Sequence, residues 1–323
     1  MEISHGLNGL RALPPGCVIS IGNFDGIHRG HQALISLCAT LRDRSGGKVA
    51  LVTFEPHPLT VLRPGQAPPH ITPLPLKQAL LEAAGVDLLV LLEPTRDVLN
   101  LSAQEFLQLL SNEVRPAHLV EGASFKFGKG RGGTIRDLLQ WAADTTIQVH
   151  LVDPVQAVLL DLSIVTVSSS LIRWLIAHGR VRDAAICLGR PYLLEGSIIA
   201  GHQRGRQLGV PTANLRIAEQ LLPADGVYAG RATVDGTPWP AAVSIGTLPT
   251  FDEVERQVEA HLIGFSGDLY GQSLGVELID WLREQRKYSS VDLLKQQIEL
   301  DLHEVRRRAN ETPQREIALA ALP

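Results

Sequence analysis

The sequence predicts an α/β protein of two parts. The first is a parallel sheet flanked by helices, and the second an antiparallel sheet or small barrel closed by a helix. Three observations carry this. Up to about residue 180, short apolar runs alternate with amphipathic helical patterns, the rhythm of a parallel sheet covered on both faces. Beyond Gly189-Arg190-Pro191, β-like runs follow one another at turn-punctuated intervals with no helix between them. A length of 323 residues suits about two domains.

The predicted strands of the first part are CVISIG (17–22), KVALVTF (48–54), VDLLVLLE (86–93), AHLVEG (117–122) and IQVHLVD (147–153). Between them, Leu34, Leu37, Cys38 and Leu41 repeat at i, i+3, i+4 and i+7, one face of a helix. Similar patterns predict helices at 75–84, 102–112, 134–143 and 168–178. The runs of the second part are YLLEGSIIA, GVYAGRATV, WPAAVSIG, RQVEAHLIGF and LGVELIDWL, with a hairpin turn at Asp235-Gly236. An amphipathic helix, roughly 290–308, ends the pattern. The boundary is expected at about 180–190, giving domains 1–185 and 186–323. The proline-rich 63–75 stretch reads as a stiff loop bordering a site, or as a simple connection.

Composition excludes several function classes. The net charge of −4 argues against a surface that coats nucleic acid, so no nucleic-acid partner is expected. The three cysteines, Cys17, Cys38 and Cys187, are scattered among apolar residues and read as buried thiols rather than a zinc or disulfide framework. No apolar run approaches the ~20 residues of a membrane span. The N-terminus lacks a basic-then-apolar signal pattern. A cytoplasmic protein without a membrane partner is the expectation.

Two glycine-bounded stretches carry the chemistry. In a parallel sheet, ligands bind beyond the carboxyl ends of the strands. IGNFDGIHRGH (21–31) follows the first strand, Thr53–Pro58 the second and Glu121–Gly133 the fourth, while Val167–Arg173 opens the last helix. All of these fall on one predicted edge. Gly22, Gly26 and Gly30 let backbone approach a ligand closely. The helix starting near Gly30 offers free N–H groups to an anion, beside His28 and His31. Ser168, Ser169, Ser170 and Arg173 supply either a second anion-binding helix start or an ordinary N-cap. Lys126, Lys129 and Arg131 form a basic loop. With no activated nucleophile in the pattern, such a polyphosphate site works by positioning and charge stabilisation.

The second stretch, GHQRGRQLGVPTAN (201–214), lies between β-like runs. Gly205 allows close backbone approach, and Arg204 and Arg206 can contact phosphate. Thr212 and Asn214 alternate, so in extended chain they share a face and present hard oxygen donors suited to Mg²⁺. Glu259 shares a strand face with His261. It is either a solvated glutamate or a general base, and spacing alone does not decide.

GNFDGIHRGH resembles the HxGH signature of the nucleotidylyltransferase superfamily. TFEPHP, EGASFKFG and VSSSLIR resemble further motifs of the bacterial bifunctional riboflavin kinase/FAD synthetase family. GRQLGVPTANL resembles that family's PTAN signature, and DGVYAG, SIGTLPTF, VEAHLIGF, DLYG and LREQRKYSS follow in the family's order. The resemblance spans about residues 15–308. It implies a Rossmann-like adenylyltransferase domain and a six-stranded riboflavin kinase barrel with a terminal helix. Riboflavin and ATP give FMN, then FMN and ATP give FAD and pyrophosphate, both with Mg²⁺. It implies that His28 and His31 hold the ATP phosphates with Ser168, Ser169 and Arg173, and that Gly22, Asn23, Phe24, Asp25 and Gly30 line the nucleotide pocket. In the barrel, Gly205, Arg206, Thr212 and Asn214 would bind Mg-ATP and Glu259 would act as base.

The chain departs from the family at Ser124, where Asp or Asn is usual, and at Ser170, Ser244 and Leu248, where Thr, Asn and Arg are usual. Ser124 motivates an alternative, a riboflavin kinase whose first domain binds nucleotide but transfers adenylyl weakly or not at all. A non-catalytic flavin sensor is a further alternative.

Overall fold

The computed structural model describes residues 1–200, 209–249 and 254–311. The chain forms two compact units that part between Gln156 and Ala157.

The strands of the first unit are β1 (Glu2–His5), β2 (Val18–Ile21), β3 (Val49–Phe54), β4 (Leu88–Leu92) and β5 (His118–Gly122). A two-stranded ribbon of β6 (Lys126–Phe127) and β7 (Gly133–Thr134) follows, then β8 (Gln148–Val152). The sheet is parallel throughout, in the order β1-β4-β3-β2-β5-β8. Every residue of β2 and β4 is buried, as their unbroken apolar sequences require. Leu107, Leu110 and Leu138 pack on Ile19, Val52, Val90 and Leu119. The Arg29–Ser45 helix lays Ile35, Cys38 and Leu41 against the sheet. The five expected strands are present. β1 is an addition that sequence patterning misses. Its EISH has one large apolar residue, Ile3, and that is 39% exposed, so pairing to β4 rather than burial holds it.

The strand order fixes the functional edge. From β2 the chain crosses to β3 on one side and later returns to β5 on the other, a topological switch point. The β2–β5 ladder holds only Val18 to His118 and Ile19 to Leu119. The Ile21 N–H donates instead to Glu121 Oε1 at 2.8 Å. A side chain thus takes the place of the next rung, and the strands part toward their carboxyl ends.

A ribbon of β9 (Gln156–Val158) and β10 (Ile164–Thr166) leads to the helices Ser169–Ala177 and Val181–Leu188. The second of these helices packs on barrel strands, and Asp183 Oδ1 accepts from Leu160 N at 2.8 Å. These ties group the segment with the barrel in the compact unit, so the two units part well before residue 185. The barrel consists of β11 (Tyr192–Ile199), β12 (Ala213–Arg216), β13 (Gly226–Val234), β14 (Thr237–Pro249), β15 (Val254–Leu262) and β16 (Ser273–Arg283). It is closed in the order β11-β12-β15-β14-β13-β16, so no edge is left open. Five of these strands match the expected runs. β12 is the sixth, inside a stretch that reads as loop, because ANLR is too short to show a period.

The Val291–Glu311 helix packs on the barrel through buried Val305, against Ala229 and Ile263. Arg283 clamps Asp301 of that helix at 2.6 Å, and Arg231 Nη2 donates to Ala309 O at 2.7 Å.

Candidate functional sites

After β2 the chain turns sharply. Phe24, Gly26 and Ile27 have φ of 45°, 92° and 39°. Positive φ is costly for a bulky or β-branched side chain, yet Phe24 and Ile27 are 1% and 0% exposed, so their burial offsets that cost. The Asp25 carboxylate accepts from Ile71 N, Thr72 N and Thr72 Oγ1 at 3.0–3.1 Å, and Gly26 N donates to Thr72 Oγ1 at 2.9 Å. The Asp25 side chain therefore braces the loop against residues 71–72. Asn23 is exposed; its carbonyl accepts from Thr53 Oγ1 at 3.1 Å and from Lys77 Nζ at 3.2 Å. Lys77 is 2% exposed and lies 3.7 Å from Glu55, which joins the loops after β2 and β3. Asn23 Nδ2 also lies 3.3 Å from His57 Nε2.

His28 is the N-cap of the Arg29–Ser45 helix, and its Nδ1 accepts from His31 N at 3.3 Å. The two rings stack at 3.6 Å, and Phe24 meets His31 edge-on at 5.2 Å. The HxGH spacing is thus the spacing of an N-cap and its third helical residue, which puts both imidazoles over the positive end of a 17-residue helix. Gly30 lies in the first turn between them.

Glu121, 2% exposed, sits under the crevice, and burial pushes its carboxyl well above the usual range. Such a group stabilises fully at acid pH, and its contribution falls as pH rises through the folded pKa. Glu121→Gln keeps the acceptor for Ile21 N without the charge. It is expected to gain thermal stability over the native chain by a margin that widens as pH rises above the ordinary carboxylate range; a constant margin contradicts this account. Ser124 follows β5 and is exposed. Together, β2, β3 and β5 bring residues 22–31, 53–58 and 121–124 to one sheet edge. Ser168, Ser169 and Arg173 belong to the other compact unit, where Ser168 Oγ accepts from Leu171 N at 3.2 Å and caps its own helix.

In the barrel, the β12–β15 register sets Asn214 opposite Glu259 and Ala213 opposite Ala260. Ser244 of β14 lies opposite Glu259 on its other side. Leu215, Val258, Ala260, Val243 and Ile245 are buried and fill the barrel. The alternate residues Asn214, Glu259 and Ser244 therefore face outward in one row. Asn214 and Glu259 are half-buried, as is Thr212 just ahead of β12. Among the described residues, these three side chains have no protein hydrogen-bond partner. Ser244 Oγ accepts from Gln285 Nε2 at 2.9 Å. A cavity of about 240 Å³ opens beside Asn214, walled by Ile199, Leu222, Gln257 and Arg256. Arg256 is held by Asp225 at 2.6 Å, so it forms wall rather than reaching inward. His261 Nδ1 donates to Pro211 O at 2.7 Å. Gly205 and Arg206 lie outside the described residues.

Sequence reasoning does not find Lys77 or Thr72, and it places His261 only on the strand face of Glu259, without a role. For Lys77 a signal exists, since it shares the apolar face of Leu76, Leu80 and Leu81, all of them buried.

A helix-capping histidine pair at a parallel-sheet switch point and an outward row of oxygen donors on a closed barrel are features that fit an ATP-using transferase. The FAD synthetase family model matches residues 10–169 and the riboflavin kinase model residues 188–309. The chain belongs to the bifunctional riboflavin kinase/FMN adenylyltransferase family. It is 37% identical to the Pseudomonas fluorescens enzyme of that name over 94% of this chain and 96% of that one. The Escherichia coli K12 enzyme is 34% identical, with 93% and 96% covered, and that of Bacillus subtilis 32%, with 94% and 96%. A structure named macrolide-efflux protein, from Streptococcus pneumoniae, matches with TM-score 0.86 and 30% identity over 95% of this chain and 99% of that one. In the present protein no described helix is long and apolar enough to cross a membrane. The protein phosphorylates riboflavin to FMN and adenylylates FMN to FAD, with ATP as co-substrate.

Proposed function

We propose that the two reactions run at separate sites, phosphorylation on the barrel of the 186–323 domain and adenylyl transfer on the sheet edge of the 1–185 domain. The observation that carries the kinase assignment is the register of Asn214 against Glu259, two half-buried polar groups without a protein hydrogen-bond partner among the described residues. Glu259 takes the proton of the riboflavin 5′-hydroxyl as its oxygen bonds to the γ-phosphorus and the bond to the bridging oxygen of ADP breaks. Thr212 and Asn214 fit Mg²⁺, since each presents an uncharged hard oxygen with no hydrogen-bond partner among the described residues. No cluster of three His, Cys, Asp or Glu among the described residues could hold a metal. The ion would keep waters and phosphate oxygens as its other ligands, a habit of Mg²⁺. Bound there, it would neutralise charge on the transferring phosphates.

At the sheet edge the nucleophile is a phosphate oxygen of FMN, already anionic, which attacks the α-phosphorus and displaces pyrophosphate. No general base is needed. His28, His31 and the free N–H groups of their helix hold the triphosphate, with Gly22, Asn23, Phe24 and Gly30 around it. The family resemblance assigns Ser168, Ser169 and Arg173 to phosphate as well; in the structure Ser168 caps its own helix. Ser124 tunes this step, because a hydroxyl offers fewer hydrogen bonds than the amide usual in the family. Ser124→Asn is expected to raise kcat/KM for FMN adenylylation about fivefold, the worth of one added hydrogen bond. An unchanged or lower value removes Ser124 from the site.

The Mg²⁺ assignment is tested by titrating the metal in the kinase assay. Asn214→Leu is expected to weaken apparent Mg²⁺ affinity at least about tenfold, with FMN adenylylation unaffected in the same preparation. An unaltered titration refutes the ligand set.

A further inference from the structure

We propose that His261 is a positioning residue for the kinase site, fixing the direction in which Thr212 and Asn214 are presented. The inference rests on the assignment of Thr212, Asn214 and Glu259 above and adds to it the device that holds them.

The first pair of the β12–β15 ladder is Ala213 with Ala260. Thr212 therefore stands one residue beyond the last rung, where the sheet no longer fixes the backbone. Its predecessor is Pro211, whose ring locks φ near −65°. The remaining freedom of that residue is ψ, and ψ decides where the Pro211 carbonyl points. His261, next along the partner strand after Ala260, donates from Nδ1 to that carbonyl at 2.7 Å. With φ locked by the ring and the carbonyl pinned by the imidazole, the plane of the Pro211–Thr212 peptide is set. The Thr212 hydroxyl then leaves on the face where Asn214 and Glu259 already project. The hydrogen bond replaces the rung that the ladder lacks, and a side chain does the work of a backbone N–H. His261 and Glu259 lie two apart on β15, so base and clamp share one strand face. The carbonyl can only accept, so Nδ1 carries the proton and donates to the backbone.

Asparagine is the conservative replacement, because its Nδ2 stands the same number of bonds from Cβ as the histidine Nδ1 and donates likewise. Phenylalanine keeps the ring and removes the donor. Riboflavin phosphorylation would be measured over a range of Mg-ATP for His261→Phe, His261→Asn and Pro211→Ala, with FMN adenylylation in the same preparations as a control for the first domain. The expected result is a KM for Mg-ATP raised about tenfold in His261→Phe, from the lost hydrogen bond. The expected kcat stays within about twofold of the native value, because Glu259 keeps its place on β15. His261→Asn should recover the native KM, and Pro211→Ala, which frees φ at the same peptide without touching His261, should raise it. A native KM in both His261→Phe and Pro211→Ala overturns the proposal. So does a His261→Asn variant as impaired as His261→Phe, or a loss of kcat at unchanged KM, which would make His261 a proton-transfer group. Asn214→Leu separates the two levels. If it leaves phosphorylation intact, the underlying site assignment fails; if it abolishes phosphorylation while His261→Phe is silent, only the clamp fails.

Discussion

Glu259→Gln is expected to lower the rate of riboflavin phosphorylation by about 10²–10⁴-fold while leaving FMN-to-FAD conversion unchanged. The substitution keeps size and shape, so the outward row of β12, β15 and β14 stays in place and only the proton acceptor is lost. The phosphoryl transition state is loose, with charge spread over the transferring oxygens, and proton removal contributes part of the acceleration. A residual rate is therefore expected from positioning alone, and KM for Mg-ATP should change little. Two readouts from one preparation check this: FMN formed from riboflavin, and FAD formed from supplied FMN. A loss of both activities in a folded variant would refute separate sites. Retention of phosphorylation would make Glu259 the solvated glutamate that its strand position alone allows.

Much of this architecture is legible in the residues. Apolar runs on both faces, as in VISI and LLVLL, can only be buried strands, and their alternation with helices implies a parallel sheet. That in turn implies which loops meet, and residues 22–31, 53–58 and 121–124 do follow adjacent strands. What escapes the pattern has physical reasons. β1 is held by pairing rather than burial, and pairing leaves no periodic mark. β12 has four residues, too few to show alternation. The braces of the first site, Asp25 to residues 71–72 and Lys77 to Asn23, join groups 46 to 54 residues apart. Only the fold reveals such pairs. Asp25 itself shows what a motif leaves out: the resemblance assigns it to the nucleotide pocket, and the fold adds that its carboxylate accepts from Ile71 and Thr72. The HxGH motif gains a second meaning in the same way. Its spacing, proposed above to serve phosphate binding, also starts the Arg29–Ser45 helix.

That double use shapes the second large effect. His28→Ala would remove a phosphate contact and an N-cap together, and cap loss alone costs about 1 kcal/mol. His28→Asn separates them, since asparagine is among the best N-caps and can accept from His31 N as the imidazole does. Its short side chain cannot reach a phosphate over the helix end, and the stacked partner of His31 is gone. The expectation is a fall in FMN adenylylation of about 10²–10³-fold, the usual effect of deleting one donor from a preorganised anion site. Thermal stability should stay close to native, and riboflavin phosphorylation should be unchanged. Measuring both rates and the unfolding midpoint checks the three parts together. An adenylylation rate near native would mean that capping is the whole role of His28 and that the triphosphate is held elsewhere. A large fall in both rate and midpoint would mean that the ring packs rather than binds. The stated outcome, an inactive first site on an intact helix beside a working kinase, follows only if the imidazole itself meets the nucleotide.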